Sequence, residues 1–315
     1  MPVFGPGFRS TFNKSWTVNP CLIGLQTSKW SAVCHIDWSR RAGKEKRTLD
    51  KRKFLVVIDP SHERHLALDR MVSRLKTGPK RDLEVHLFIG FESDDKSDPD
   101  VPEEVVCGRE WRRDLFRPLI ELGVNFTADL FWTRHWRNSI TGAAHRYGCD
   151  EIMLSKSSAE NRRGIADSKW ELLRQADCEV VIVGSETSES LGCILAAVDT
   201  QSKTAEDLPM NEKILERAKY LADFYGAEFH VVNAYKDSED FPDRALIQRM
   251  ADVPLENIHR DMGKPEDVIY DVAKKVNADI VILGTKPRHS IRAKMRGNTS
   301  EKVMDRLDID VLALN

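Results

Sequence analysis

KFLVVIDP, residues 53–60, is a short apolar and β-branched run that ends in an aspartate and a polar turn. Such a run is typical of a buried parallel strand. CILAAVDT, residues 193–200, has the same pattern and places Asp199 where the first run has Asp59. After each run, strand-like and helical segments alternate in the same order. The sequence therefore predicts one α/β unit that occurs twice.

The later strands support the duplication. CDEIMLS (149–155) aligns with NADIVILG (277–284), and DCEVVIV (177–183) aligns with DIDVLAL (308–314). Because helices separate the strands in both halves, we expect two tandem, doubly wound, five-stranded parallel-sheet domains of Rossmann-like type. We call residues 51–186 the first repeat and residues 191–315 the second repeat.

Residues 1–50 do not follow this pattern. They have no sustained helical or strand period, and no acidic residue precedes Asp37, whereas Arg9, Lys14 and Lys29 are basic. We expect a disordered extension here. The alternative is a targeting segment, because transit peptides are poor in acidic residues and contain arginine and serine.

The composition excludes several classes of function. The 315 residues include 48 Lys and Arg against 50 Asp and Glu, a formal net charge of −2, which does not indicate a nucleic-acid partner. No apolar stretch is long enough to span a membrane. The six cysteines form no CxxC pair and no zinc-like spacing with histidine, which suits a reducing compartment. We therefore expect a cytoplasmic protein with neither nucleic-acid nor membrane partners.

A basic loop follows the fourth strand of the second repeat. VILGTKPRHSIRAKMRGNTSEKV (281–303) keeps Gly284 and Gly297, with basic residues and no acid between them. Ligands of open parallel sheets bind beyond the carboxyl ends of the strands, and helix N-termini attract anions. This loop and Asp199 both lie at that edge. The pattern favours an anionic ligand such as a phosphate, although a solvated basic face is the simpler alternative.

These motifs resemble the universal stress protein family. Its members have a first strand that ends in Asp and a G-x2-G-x9-G-[S/T] loop before the last helix; here the loop runs from Gly284 to Pro287, then through nine residues to Gly297. The resemblance covers residues 53–315 and is to tandem-domain members. It implies pairing through the edge of the final strand, within one chain or between the chains of a homodimer.

The resemblance also implies a nucleotide site in the second repeat, for ATP with Mg²⁺ or for AMP. Asp199 would lie towards the adenosine and the backbone near Ala234 against the base. The residues expected around the phosphates are Gly284, Thr285, Gly297, Asn298 and Thr299.

Two departures weaken the expected phosphate contacts. Pro287 replaces a glycine and has no N–H to donate. Asn298 replaces a hydroxyl residue and leaves no hydroxyl for a metal-bound phosphate. In the first repeat Ser155 takes the place of Gly284, and Gly164 is out of register. We therefore expect a degenerate site in the first repeat and a partly retained one in the second.

The predicted function is a non-catalytic stress-response module that binds a small ligand or a partner protein. The chain contains no GxGxxG after a first strand, no GxxxxGK[ST] and no GxSxG. The alternative is a weak nucleotide hydrolase or phosphotransferase that uses the 284–298 loop, with Asp199 as its one candidate carboxylate.

Overall fold

A computed structural model describes residues 14–18, 52–77, 83–91, 108–132, 136–156, 172–173, 175–185, 190–201, 207–285 and 299–315. Strand β1 (Lys14–Val18) comes first. The first repeat contains β2 (Arg52–Ile58), α1 (Leu66–Thr77), β3 (Leu83–Phe91), α2 (Arg109–Glu121), β4 (Phe126–Trp132), α3 (Ile140–Tyr147), β5 (Glu151–Ser155) and β6 (Glu179–Val183).

The second repeat has the same alternation. Its elements are β7 (Cys193–Ala197), α4 (Asp207–Tyr225), β8 (Glu228–Tyr235), α5 (Arg244–Ala251), β9 (Ile258–Met262), α6 (Pro265–Lys275), β10 (Ile280–Gly284), α7 (Thr299–Arg306) and β11 (Asp310–Leu314). Local sequence explains several ends. Helix α3 stops at Gly148, which adopts a left-handed φ of 60°. Helix α6 starts at a proline, with Glu266 and Asp267 in its first turn.

All the strands belong to one sheet in the order β1-β4-β3-β2-β5-β6-β11-β10-β7-β8-β9. Within each repeat the neighbouring strands are parallel, and both repeats place their five strands in the spatial order third, second, first, fourth, fifth. This arrangement confirms the predicted fold class. It also makes every strand of one repeat equivalent to a strand of the other.

The repeats meet through their final strands. Strands β6 and β11 pair antiparallel, with Val181 opposite Leu312 and one matched pair on either side. Val181 and Leu312 are the third residues of equivalent strands, so the register is symmetric about them. The pairing within the chain that the family resemblance implies is therefore present, and it covers two strand edges that would otherwise be open.

A similar aspartate anchors the first strand in each repeat. The Asp150 carboxylate accepts a hydrogen bond from the Lys53 N–H at 2.7 Å. At the equivalent position, the Asp279 carboxylate accepts from the N–H groups of Cys193 at 2.9 Å and Gly192 at 2.6 Å. Each aspartate immediately precedes the fourth strand of its repeat. This shared contact is independent support for a duplicated unit.

The core lies on both faces of the sheet. Helices α1, α2, α4 and α5 cover one face, and helices α3, α6 and α7 cover the other. Each of the two buried clusters contains side chains from both repeats, so the core is continuous across the junction. This double cover explains why β2 is buried from Phe54 to Ile58 and reads as a continuous apolar run.

Strand β1 differs from the expected disorder of residues 1–50. Lys14–Val18 pairs antiparallel with β4, with Trp16 opposite Ala128. The stretch KSWTV contains an aromatic and two β-branched residues, and the outer edge of β4 offers backbone groups for pairing. The remainder of residues 1–50 lies outside the described residues.

Two further expectations concern membrane spans and the state of the cysteines. None of the helices in the described ranges is long and apolar enough to cross a membrane. Burial raises the pKa of the Cys149 and Cys178 thiols to about 12 and that of Cys193 to about 11. These three cysteines are therefore poor nucleophiles and act as small apolar residues. The other three lie outside the described residues.

Candidate ligand site

Each repeat has a crevice where its strand order reverses. In the second repeat β7 is flanked by β8 on one side and by β10 on the other. The connections from their carboxyl ends diverge, and such a switch point is where ligands of open α/β sheets bind. Asp199 follows β7, Ala234 lies near the end of β8, and Gly284 ends β10. The fold therefore brings these predicted site residues to one edge of the sheet.

The backbone of Asp199 is held by hydrogen bonds, and the residue is exposed. The buried Asn211, in the first turns of α4, accepts a hydrogen bond from the Asp199 N–H at 3.1 Å and donates one to the Asp199 carbonyl oxygen at 2.8 Å. The backbone is thereby fixed at the mouth of the crevice. The residue itself is classed as exposed, so its carboxylate lies at the protein surface.

Asn233 organises the floor of the same crevice. It is fully buried in β8 and accepts hydrogen bonds from the hydroxyl of Thr200 at 2.6 Å and from its N–H at 3.3 Å. Its amide nitrogen donates to the Gln201 side chain at 2.8 Å and to the Ala234 carbonyl at 3.1 Å. One buried amide thus links the loop after β7 to the end of β8.

Sequence reasoning missed Asn233 and Asn211. The signal in the sequence was an asparagine inside the apolar run HVVNAY (230–235), because a buried amide requires partners. The equivalent position in the first repeat is Ile89, which has no such capacity. Asn211 gives a weaker signal, because asparagine near a helix start is common.

Gly284 makes room for protein rather than for ligand. A Cβ built on Gly284 would lie 2.6 Å from the Met210 Cγ and 2.8 Å from its Sδ. The Gly284 carbonyl accepts a hydrogen bond from the Ser300 hydroxyl at 2.9 Å, which attaches α7 to β10. The close approach that a glycine permits is therefore used by a side chain of α4.

Thr285 is also engaged within the protein. Its N–H donates to the Leu314 carbonyl oxygen at 2.7 Å, and its hydroxyl donates to the same oxygen at 3.1 Å and contacts the Asn315 amide oxygen. The residue is buried. These contacts connect the end of β10 to the end of β11. The backbone N–H that a phosphate would use at this position already has a partner.

The remaining predicted phosphate contacts fall largely beyond the structure. Gly297, Asn298, Pro287 and the basic residues between them lie outside the described residues. Thr299 is the first residue of α7, and its side chain is likewise not described. Ser300 positions the start of α7 beside the end of β10, and the phosphate contacts of the loop stay predictions.

In the first repeat, the residues equivalent to the predicted site residues make polar contacts within the protein. Asp59 accepts hydrogen bonds from the Ser61 N–H at 3.0 Å and hydroxyl at 2.6 Å, and its other oxygen lies 3.3 Å from Arg137. Ser155, which replaces Gly284, accepts from the Ala67 N–H at 3.1 Å. The next residue, Lys156, donates to the carbonyl of Asp305 at 3.0 Å in the second repeat.

Other candidate chemistry is absent from the described parts of the chain. No three His, Cys, Asp or Glu side chains there are arranged to hold a metal ion. His65, from the HERH stretch, packs edge-on against Trp111, and burial lowers its pKa. This packing agrees with a structural role for Trp111. The other tryptophan side chains of the first repeat are not described.

The fold and its two crevices define a tandem α/β protein built from two equivalent repeats. Residues 244–315 match the Universal stress protein family. Over most of its length the chain is similar to "Universal stress protein E" of Salmonella typhi, with 27% identity over 296 residues, which is 83% of this chain and 93% of that relative. The Escherichia coli K12 protein of the same name is 26% identical over 295 residues.

Solved structures of universal stress proteins are similar to this chain in fold. A putative universal stress protein from Pseudomonas aeruginosa UCBPP-PA14 has 26% sequence identity and a TM-score of 0.67, and the match covers 84% of this chain and 92% of that one. A universal stress protein from Archaeoglobus fulgidus, at 18% identity and a TM-score of 0.65, shares the fold. Together these findings support membership of the universal stress protein family, as a tandem member similar to universal stress protein E.

Proposed function

We propose that the chain is a non-catalytic stress-response protein of the cytoplasm that binds a nucleotide, ATP or AMP, in the crevice of the second repeat. One observation carries this proposal. Asp199 is exposed at the switch point of the second repeat, whereas Asp59 at the equivalent position is bound by Ser61 and Arg137. Asp199 is therefore the more exposed of the two equivalent aspartates.

The residues at the crevice fit a nucleoside better than they fit a phosphate. A carboxylate at the end of a strand next to the switch point can accept hydrogen bonds from ribose hydroxyls. The end of β8 at Ala234 provides a small side chain beside it, where a base would lie. Because Gly284 contacts Met210 and the Thr285 N–H is already bonded, donors for the phosphates would have to come from Gly297, Asn298 and Thr299.

The helix start and the basic loop support an anionic end of the ligand. Helix N-termini carry N–H groups without partners in the helix, which favours phosphate. Mg²⁺ would accompany ATP, and its chemistry there would be to neutralise the phosphate charge. The missing hydroxyl at Asn298 makes AMP the better match, since AMP has no metal-bound γ-phosphate to hold.

The proposal treats the protein as non-catalytic because phosphoryl transfer needs a base or metal carboxylate close to the phosphates. Asp199 is the carboxylate that the sequence places at this crevice, and we assign it to the nucleoside. A weak hydrolase would instead release phosphate from ATP in the presence of Mg²⁺, and would lose that activity in Asp199→Asn.

Calorimetric titration of the full chain with AMP and with ATP, with and without Mg²⁺, tests the proposal. Asp199→Ala should weaken binding at least about 10-fold, the effect of losing hydrogen bonds to one charged group. Asp59→Ala is the matched control and should bind as the unmodified chain does. No heat of binding at millimolar nucleotide, or an equal loss in both variants, would refute the proposed site.

A further inference from the structure

The junction between the repeats contains a buried group of charges. We define this junction cluster as Glu151 together with four arginines and two further acids, which are Arg52, Arg70, Arg74, Arg217, Glu179 and Asp310. Arg217 and Asp310 belong to the second repeat and the others to the first. Glu151, Asp310, Arg70 and Arg74 are all buried, which is rare for charged side chains unless they are paired.

Glu151 is at the centre of this cluster. One carboxylate oxygen accepts a hydrogen bond from Arg74 at 2.6 Å, and the other lies 3.2 Å from Arg52 and 3.3 Å from Arg217. Burial by itself would raise the pKa of Glu151, but the three guanidinium groups together outweigh it and hold the pKa below its ordinary value. Glu151 is therefore ionised and shared by both repeats.

The other two acids also connect the repeats. Glu179 of the first repeat lies 2.9 Å from Arg217 of the second. Reciprocally, Asp310 of the second repeat lies 2.6 Å from Arg70 of the first, and it accepts a hydrogen bond from the Gly184 N–H at 3.1 Å. Glu179 and Asp310 are the first residues of the equivalent strands β6 and β11, so the two acids follow the internal symmetry, while their arginine partners come from different helical positions.

Arg74 and Arg217 are equivalent as well. Ala67 contacts Ser155 at the end of β5, and Met210 contacts Gly284 at the end of β10. Arg74 lies seven residues after Ala67, and Arg217 lies seven residues after Met210. Their shared acid has no counterpart, because the residue equivalent to Glu151 at the start of β10 is Ile280, which is buried. The second repeat supplies an arginine without its acid.

We propose that Glu151 is the residue that makes the first repeat pair with the second, and disfavours pairing of two second repeats from different chains. In the intact chain Arg217 reaches Glu151 and Glu179 across the junction. Two second repeats joined by their β11 strands would bury two copies of Arg217 with no residue equivalent to Glu151. Each Arg217 would face only Asp310 of the other chain, the residue equivalent to Glu179, whereas the correct pairing gives it both Glu151 and Glu179, so the asymmetry selects the partner.

This selection matters because the paired strands are short and apolar. The β6 and β11 edges have nearly the same sequence character and could each pair with a copy of itself, which would give exchanged dimers or longer assemblies. Hydrophobic pairing alone does not distinguish these options. The charge pattern does distinguish the mixed pair from a pair of second repeats, because the second repeat has no acid equivalent to Glu151 for its arginine.

Moving the acid from one repeat to the other tests the proposal directly. In the full chain, Glu151→Ile should raise the unfolding equilibrium constant roughly 100-fold or more, since it leaves the buried Arg74 and the partly buried Arg52 and Arg217 without their shared acid. Adding Ile280→Glu places a carboxylate beside Arg217 as Glu151 is placed beside Arg74. The double variant should recover at least about 10-fold of the loss, measured by urea unfolding with light scattering to record the oligomeric state.

Recovery in the double variant would support the proposal, and its absence would overturn it, because a residue needed only for packing at position 151 is not restored by a change at position 280. If Glu151→Ile does not fold, Arg217→Met gives a second test. Its matched control is Lys219→Met on the same helix, where Lys219 pairs with Asp252 at the surface. Arg217→Met should raise the unfolding constant at least about 10-fold more than the control does; an equal effect would contradict the proposal.

Discussion

The two crevices of this molecule are built on the same scaffold and differ in what their polar groups contact. In the first repeat Asp59 accepts hydrogen bonds from Ser61 and Arg137. In the second repeat Asn211 and Asn233 bind the backbone around Asp199 and leave that residue exposed. The difference teaches that a duplicated fold keeps equivalent aspartates in place while the side chains around them change.

The contacts that hold the scaffold have not diverged in the same way. Asp150 and Asp279 anchor the first strands alike, and Glu84 and Glu228 each lie 3.4 Å from a histidine two residues later on the second strand. These contacts serve the sheet in both repeats. Polar groups at the carboxyl edge differ more between the copies, as Asn233 and its counterpart Ile89 show.

The largest expected effect comes from a substitution at the junction between the two repeats. A Cβ at Gly184 would overlap the backbone of Asp308 and Ile309, because the end of β6 and the loop before β11 are in direct contact. Gly184→Ala should therefore lower the free energy of unfolding by about 3 kcal/mol, at the upper end of overpacking effects. Urea unfolding measures this loss.

Gly142→Ala is the control for that change. Gly142 lies within α3, and a Cβ there would meet nothing within 4 Å. The alanine should leave stability unchanged or raise it by about 0.5–1 kcal/mol through helix propensity. If both alanines had the same effect, the close contact at the junction would be contradicted.

A smaller effect is expected from a substitution that makes the second crevice more like the first. Asn233→Ile copies Ile89 and removes the acceptor for Thr200 and the donor to Gln201. We expect a loss of about 1–2 kcal/mol in unfolding free energy, and weaker nucleotide binding, because the loop after β7 is no longer attached to β8. Unchanged stability and unchanged calorimetric binding would show that Asn233 does not organise the crevice.

Replacing each of the two equivalent aspartates by alanine compares the two crevices further. Asp59→Ala should lower the unfolding free energy by about 1 kcal/mol, because it removes hydrogen bonds to Ser61 and the contact with Arg137. Asp199→Ala should change stability by less than about 0.5 kcal/mol, since its side chain is exposed. Thermal unfolding of both variants without ligand checks this, and the reverse order would contradict the assignment of roles.

The smallest expected effect concerns pH. Burial, followed by the neighbouring His230, lowers the pKa of His259, and the Nδ1 of His230 lies 3.2 Å from the Nε2 of His259. When the folded pKa lies below the unfolded value near 6.5, the unfolded chain takes up its proton first, so stability falls as pH drops below about 6.5. The loss in unfolding free energy from pH 7.5 to 5.5 should be smaller in His259→Gln; an equal loss would exclude this pair as its cause.

The sequence predicted the fold more completely than the site, for physical reasons. Hydrophobic periodicity and the repeated strand order are local signals, and they gave the strands and helices to within a few residues. The roles of Met210 beside Gly284 and of Arg137 beside Asp59 depend on contacts between distant segments. A glycine that accommodates a methionine and a glycine that accommodates a phosphate look the same in sequence.

Strand β1 and the junction cluster show the same limit. KSWTV has strand character, but five residues without periodic neighbours gave no reason to place them beside β4. Glu151 begins a strand and reads as an ordinary polar boundary residue. Only the antiparallel pairing of β6 with β11 brings Arg217 to it.

Hydrogen exchange of backbone amides, with and without saturating AMP, tests most directly the claim that only the second crevice binds ligand. We predict slower exchange in peptides that contain residues 199–201, 234–235 and 299–301, and no change in those that contain residues 59–61 or 155–156. Protection of the first repeat's peptides, or of neither set despite saturating nucleotide, would contradict the account.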